Sequence, residues 1–268
     1  MQLSAFRKIV WAHYRRHRRD FAWRNTQDSY HILVSEVMLQ QTQAQRVEGF
    51  YRKFLAEFPT VSALANAPVR NVLRLWQGLG YNRRAVMLKR AAEIIAERLG
   101  GRIPAFQDDL EMLPGVGSAT AGAILAYAFQ IPVPFIETNI RRVFIYSFFK
   151  RRRRVPDQEI MKLVKKTLDE KNPKEWYYAL MDYGAFLGKT VPNPNRRSRA
   201  YHRQAKFKGS NRELRGKALR MILKQKSYAV AELGRALRVR NEQLNRVITE
   251  LQKEGFIRRN GTRLSIAA

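Results

Sequence analysis

Through most of residues 1–208, apolar positions recur three and four apart. Segments 29–58 (SYHILVSEVMLQQTQAQRVEGFYRKFLAEF), 71–100 (NVLRLWQGLGYNRRAVMLKRAAEIIAERLG) and 117–129 (GSATAGAILAYAF) each put a stripe of aliphatic and aromatic residues on one face of a 3.6-residue period. No stretch sustains the alternation of a strand. Gly and Pro punctuate the segments, so the pattern predicts an all-α body of helices joined by short turns. Around 189–213, KTVPNPNRRSRAYHRQAKFKGSNRE, the period lapses while Pro, Asn and Arg accumulate, and 189–211 reads as a basic linker.

Beyond the linker the pattern changes. RGKALRMILKQ, VAELGRALRV and NEQLNRVITELQKEGFI read as three helices, and RRNGTRLSIA reads as the end of a strand, an Asn-Gly turn and a second strand. This order predicts a C-terminal winged helix-turn-helix over 212–268, with Asn241 capping the third helix and Gly255 stopping it. Asn241, Gln243, Asn245 and Arg246 would then lie on or near a recognition helix, and Arg258, Arg259 and Arg263 on a basic wing. A solvated helix face or a protein-binding surface would use the same residues.

At 268 residues and 45% hydrophobic, the chain can bury a core as one large domain or two unequal ones. Charge changes the picture more. Fifty-one Lys+Arg against 22 Asp+Glu give +29, which is self-repelling unless an anionic partner offsets it, and nucleic acid is the leading partner. Acidic membranes are disfavoured, because no basic amphipathic anchor with a long apolar face is present. No apolar run approaches the roughly 20 residues needed to span a bilayer. The first twenty residues hold no clean apolar segment suited to export. The expected location is therefore the cytoplasm, at the nucleoid in a bacterium, and the expected state is a monomer. The absence of cysteine excludes disulfides, thiolate metal sites and cysteine-held iron–sulfur clusters, and His13, His17, His31 and His202 lack metal-ligand spacing.

Three constellations carry chemistry. In LEMLPGVGSATAGAILAY, Gly115 and Gly117 let the backbone turn tightly between two helices, and Ser118 opens a helix whose first N–H groups suit a phosphate. Such a hairpin holds a nucleic-acid backbone without reading sequence, although an ordinary helix–helix turn looks the same. In SEVMLQQTQ, Glu36 shares a helical face with Ile32, Leu33, Leu39 and Gln40, so desolvation should raise its pKa and keep a proton available for a poor leaving group. The plainer reading makes Glu36 the buried partner of an arginine such as Arg24. In PVPFIETNIRRV, Glu137 sits between an apolar run and two arginines, where it can cap a helix, pair with Arg141 at i+4, or act in catalysis.

Together the residues resemble the MutY-type adenine DNA glycosylases of the helix-hairpin-helix family that includes endonuclease III. The motifs are WR at 23–24, SEVMLQQTQ at 35–43, FPTVSALANAP at 58–67, LWQGLGY at 75–81, LPGVGSATAGAIL at 113–125 and MDYGA at 181–185. The resemblance covers roughly 1–188. It implies a two-lobed core, with one lobe of 1–25 plus 135–188, the other of 26–134, and a base pocket between them. It also implies double-stranded DNA as partner and Glu36 as the acid that protonates the departing base. Gln40, Gln41 and Thr42 would contact the opposite base and fill the stack, Arg24 would lie at the DNA, and Tyr81 would intercalate. Leu113, Gly115, Val116, Gly117 and Ser118 would anchor phosphate, often with a monovalent cation.

Departures qualify the resemblance. Ala119 stands where lyase-type members carry a Schiff-base lysine, which implies a monofunctional enzyme. The family's catalytic aspartate, in an Asp-Gly-Asn or Asp-Ala-Asn motif, is replaced by Glu137 of Glu-Thr-Asn, while Asn139 is kept. The extra methylene implies a set-back backbone, a different target base or lost catalysis, and retained catalysis is the preferred reading. FLGKTVPNPNRRSRAYHRQAKF runs where the iron–sulfur cysteines would follow, and a winged helix runs where the 8-oxoguanine-recognition domain would stand. The sequence thus points to excision of a mismatched or damaged base, adenine first. Excision of a mismatched thymine or uracil or a deaminated purine, or silent binding of lesions, are the alternatives.

Overall fold

The computed structural model describes residues 1–203 and 206–267; residues 204 and 205 of the expected linker and residue 268 lie outside the described residues. The helices are α1 (Leu3–His17), α2 (Ser29–Leu39), α3 (Ala44–Glu57), α4 (Val61–Asn66), α5 (Val69–Trp76), α6 (Arg83–Arg98), α7 (Gln107–Glu111), α8 (Ser118–Ala128), α9 (Thr138–Phe148), α10 (Asp157–Thr167), α11 (Pro173–Thr190) and α12 (Asn211–Lys224). A short strand β1 (Tyr228–Ala229) precedes α13 (Val230–Leu237) and α14 (Asn241–Lys253), and β2 (Ile257–Asn260) and β3 (Arg263–Ile266) close the chain. The all-α expectation for the body holds.

Packing divides the chain into two compact units. One comprises Met1–Glu36, Pro104–Met112 and Val116–Arg203; the other comprises Val37–Ile103, Leu113–Gly115 and Gln204–Ala268. The cuts thus fall at 36, 103, 112, 115 and 203, against the 25, 134 and 188 expected from the sequence. Helix α8 belongs to the first unit because its apolar face packs on α11.

In the first unit α1, α9 and α11 enclose an aromatic core in which Phe6 lies 5.0 Å from Phe144 and 6.2 Å from Trp176. Pro173 starts α11, where its fixed φ fits and its missing N–H costs nothing. Further along α11 a Cβ on Gly184 would fall 2.5 Å from the Asn139 carbonyl oxygen, so glycine is what allows α11 to approach the start of α9. The first part of the expected linker lies against this unit. The Arg197 guanidinium donates to the Phe149 carbonyl at 2.6 Å, and Val155 bridges to Ser198.

In the second unit α3 to α6 pack around Phe54, Trp76 and Leu88, and the Thr60 hydroxyl caps α4 by accepting from Ala63 N–H at 3.1 Å. Two helices expected from the sequence are broken here. The run 29–58 splits after Leu39 at a turn where Gln41 takes φ 55°, and 71–100 splits at Gly78 to Tyr81, all but Leu79 at positive φ. Both turn segments carry residues compatible with helix, so periodicity alone misses the breaks.

The same unit contains α12 to α14 with a sheet ordered β1-β3-β2, in which β2 and β3 pair antiparallel from Ile257↔Ile266 to Asn260↔Arg263. This has the order of elements of a winged helix-turn-helix. Leu244, Val247, Ile248 and Leu251 bury one face of α14, and Gly255 at φ 78° ends it as expected. Asn241 is not the cap: Arg240 holds that position without a side-chain cap bond, and Asn241 is the first helical residue. β1 went unpredicted because two residues carry no alternation. Among the described residues, no helix is long and apolar enough to cross a membrane.

Candidate active site

Two carboxyls and their neighbours in the first unit form the site. Helix α2 is apolar on nearly every side, with Ile32, Leu33, Val34, Val37 and Met38 all buried, and Glu36 is its partly buried exception. Among the described residues nothing hydrogen-bonds its carboxyl. Burial, and secondarily the negative charge of Glu137, push its pKa up to about 8, with Arg24 pulling the other way.

Glu137 is placed by the start of α9. Its Oε1 accepts from the N–H groups of Asn139 at 2.5 Å and Ile140 at 2.7 Å, and Oε2 accepts from Asn139 Nδ2 at 3.3 Å. The carboxylate is therefore the helix cap. Arg141 does not pair with it; that guanidinium grips Asp157 at 2.9 and 2.7 Å. Arg142 instead donates to Asn139 Oδ1 at 2.8 Å and to the Gly184 carbonyl at 2.7 Å, so Asn139 is held between Glu137 and an arginine.

Capping was expected to keep Glu137 ordinarily acidic, and here the structure differs. Burial raises its pKa, although the two backbone N–H groups and Arg141 and Arg142 oppose the rise. The two carboxyls nonetheless separate, because Glu137 has donors that favour its anion and Glu36 has none. Glu137 loses its proton first, and its charge holds the remaining proton on Glu36.

Arg24, expected at the DNA or against Glu36, is buried and committed elsewhere. It donates to both oxygens of Asp182, at 2.7 and 2.8 Å, and its guanidinium lies 4.5 Å from the Tyr178 ring centre. Arg19 adds a third link to Asp182 at 2.6 Å. Burial would raise the Asp182 pKa, but the bonds and charges of Arg24 and Arg19 outweigh it and hold it below the ordinary value. Tyr178 stacks on Tyr127 at 4.4 Å, and both hydroxyls are buried with no hydrogen-bond partner among the described residues. The Glu36 charge helps raise the pKa of each phenol, after burial. Sequence reasoning missed Asp182, Arg142, Tyr127 and Tyr178, and only the place of Asp182 inside MDYGA gave a signal.

The hairpin between α7 and α8 has the expected form. Gly115 takes φ +83°, and a Cβ there would stand 2.9 Å from Met87 Cβ. Leu113 and Val116 are buried, Gly117 is the extended residue before α8, and Ser118 is exposed at its first turn. By construction the first-turn N–H groups have no partner four residues back.

In the second unit Gln40, Gln41, Thr42 and Tyr81 line one cleft of about 1040 Å³. Gln40 Nε2 donates to the Gly115 carbonyl at 3.0 Å. Arg84, also unforeseen, fixes the turn after α2 by donating to the carbonyls of Val37, Met38 and Gln40 at 2.8, 2.7 and 2.6 Å. In the C-terminal helices and sheet, Asn241, Gln243, Asn245 and Arg246 share the exposed face of α14, and Arg258, Arg259 and Arg263 are exposed on β2 and β3. Among the described residues no group of His, Cys, Asp and Glu could hold a metal ion.

Comparison with known proteins bears on this geometry. Residues 34–170 match the family model described as HhH-GPD superfamily base excision DNA repair protein. The chain is 43% identical over 144 residues to an adenine DNA glycosylase of Mycolicibacterium smegmatis, covering 53% of this chain and 48% of that protein. To the adenine DNA glycosylase of Homo sapiens it is 34% identical over 212 residues, 73% of this chain and 37% of the human protein. The chain thus spans half or less of these relatives' length. Among solved structures, a thermostable thymine-DNA glycosylase superposes with a TM-score of 0.63 at 25% identity, over 72% of this chain and 90% of that one. A trapped endonuclease III–DNA covalent intermediate superposes at 0.60 and 16% identity over the same shares, which shows the fold. The hairpin, the helical fold and the family match agree, and the chain belongs to the HhH-GPD superfamily of base excision DNA repair proteins.

Proposed function

We propose that the chain is a monofunctional DNA glycosylase that hydrolyses the N-glycosidic bond of a flipped adenine, mispaired with guanine or 8-oxoguanine, in double-stranded DNA. The observation that carries this reading is the division of one proton between two carboxyls. Glu36, with a pKa of about 8, keeps its proton at neutral pH and gives it to the departing base. Glu137, held by two backbone N–H groups and by Asn139, is the anion that stabilises the developing sugar cation. The bond between the sugar carbon and the base nitrogen breaks, and water supplies the oxygen that replaces the base. With Ala119 after the hairpin, no lysine there competes with water as nucleophile.

The names of the relatives favour adenine. The likeness to a thymine-DNA glycosylase keeps mismatched thymine as the second reading. The hairpin 113–118 would hold the phosphate backbone, its carbonyl oxygens suiting a monovalent cation, and the exposed residues of α14, β2 and β3 would add a second grip. With no cysteine, the chain itself supplies no thiolate for an iron–sulfur cluster. Base release from duplexes carrying adenine opposite 8-oxoguanine or guanine, thymine or uracil opposite guanine, and hypoxanthine tests the proposal. Adenine release that vanishes in Glu36→Gln is the expected result. Tight binding without release of any base would overturn it.

A further inference from the structure

The cleft of about 1040 Å³ in the second unit is built from two parts of the chain: the turns after α2 and α5, and the segment that leads into α12. Gln41 at φ 55° and Tyr81 at φ 50° are non-glycine residues held left-handed, a conformation that costs energy, and both line this cleft. Arg212, near the start of α12, donates to the Tyr81 hydroxyl at 3.1 Å, with its guanidinium 5.9 Å from the ring centre. Arg215 also lines the cleft but is tied to Glu250 at 3.4 Å and Glu254 at 2.5 Å. Phe207 stands at the rim, 61% exposed. An aromatic ring, a guanidinium, side-chain amides and a further exposed ring are the chemistry that receives an unstacked nucleobase by stacking and edge hydrogen bonds.

We propose that this cleft receives the nucleobase left unpaired when its partner flips out, and that Arg212 selects a guanine there. Flipping leaves the partner base with an unsatisfied edge. An arginine fork matches the paired O6 and N7 acceptors of guanine better than the edge of any other base. Arg212 would thus be a specificity-determining residue contributed by the C-terminal helices rather than by the body. The inference rests on the reading of the chain as a base-flipping enzyme.

The test measures binding of the full chain to duplexes with a tetrahydrofuran abasic analogue opposite each of the four bases, so that no excision is needed. The wild type should bind the guanine-opposed duplex roughly tenfold more tightly than the others. Arg212→Ala should bring the four within about twofold of one another, and Arg212→Lys, which keeps the charge but not the fork, should lose the preference as well. A variant that weakens all four equally with the ratio intact, or a wild type indifferent to the opposing base, would overturn the role of Arg212. Binding to abasic duplexes no tighter than to undamaged ones would remove the base-flipping reading, and this inference with it.

Discussion

Glu36 works only while it holds a proton, and that sets the pH profile. Its pKa near 8 means base release should hold level below about pH 8 and fall about tenfold per unit above it. The acid limb belongs to Glu137, whose pKa is also raised, so that limb should lie above the ordinary carboxylate range. Glu36→Gln keeps the shape and removes the proton. Single-turnover base release should drop roughly 10²–10⁴-fold with duplex binding nearly intact. Stability supplies an independent check. Between 4.5 and about 8 the folded state binds the Glu36 proton and the unfolded chain does not, so wild-type stability declines as pH rises through that window. The glutamine variant lacks this decline and should melt above the wild type at pH 8, with the difference gone below pH 4.5. At Glu137 the longer side chain reaches back to two N–H groups of its own helix. Glu137→Asp withdraws the carboxylate by about one carbon–carbon bond, ~1.5 Å, and should slow base release on the order of 10²-fold. A faster Glu137→Asp enzyme would instead mark the glutamate as a handicap.

At the scale of elements, the site depends on how closely α11 approaches α9. Gly184→Ala would push a methyl into the Asn139 carbonyl, which lies 2.5 Å from the ideal Cβ position, and would shift the cap that holds Glu137. The variant should lose about 1–3 kcal/mol in denaturant unfolding and most of its base release. Unchanged activity would show that the α9–α11 approach does not position the site. The element scale also separates what the sequence displays from what it hides. The face of α2 that buries Glu36 is visible because a helix repeats every 3.6 residues, and the Gly115 turn is visible because few residues tolerate its φ. The partner of Arg24 is not, since Asp182 lies 158 residues away and no local pattern encodes the pairing. Nor is the break after Leu39, where QQTQ suits a helix until Arg84 collects the carbonyls of the last turn. Only side chains brought together by packing decide such features.

For the whole molecule the net charge of +29 is the dominant long-range term, and it predicts binding that weakens steeply with salt. How much of that comes from the C-terminal sheet is measurable. Arg258, Arg259 and Arg263 are exposed on β2 and β3; Arg259 donates to the Gly261 carbonyl and Arg263 to the Ser227 hydroxyl, bonds that hold the guanidinia in place without neutralising them. If they contact phosphates, replacing all three by alanine should flatten the plot of log affinity against log salt by about one unit for each phosphate no longer neutralised, with the weakening uniform across DNA sequences. The Glu36→Gln background makes the measurement clean, because it binds without turning over. Replacing Gln243 and Asn245 on the exposed face of α14 should leave the salt slope alone, as amides carry no charge, and should change affinity selectively among sequences only if that helix reads bases. An unchanged salt slope in the arginine variant would assign the sheet to another partner and leave DNA binding to the charges of the body.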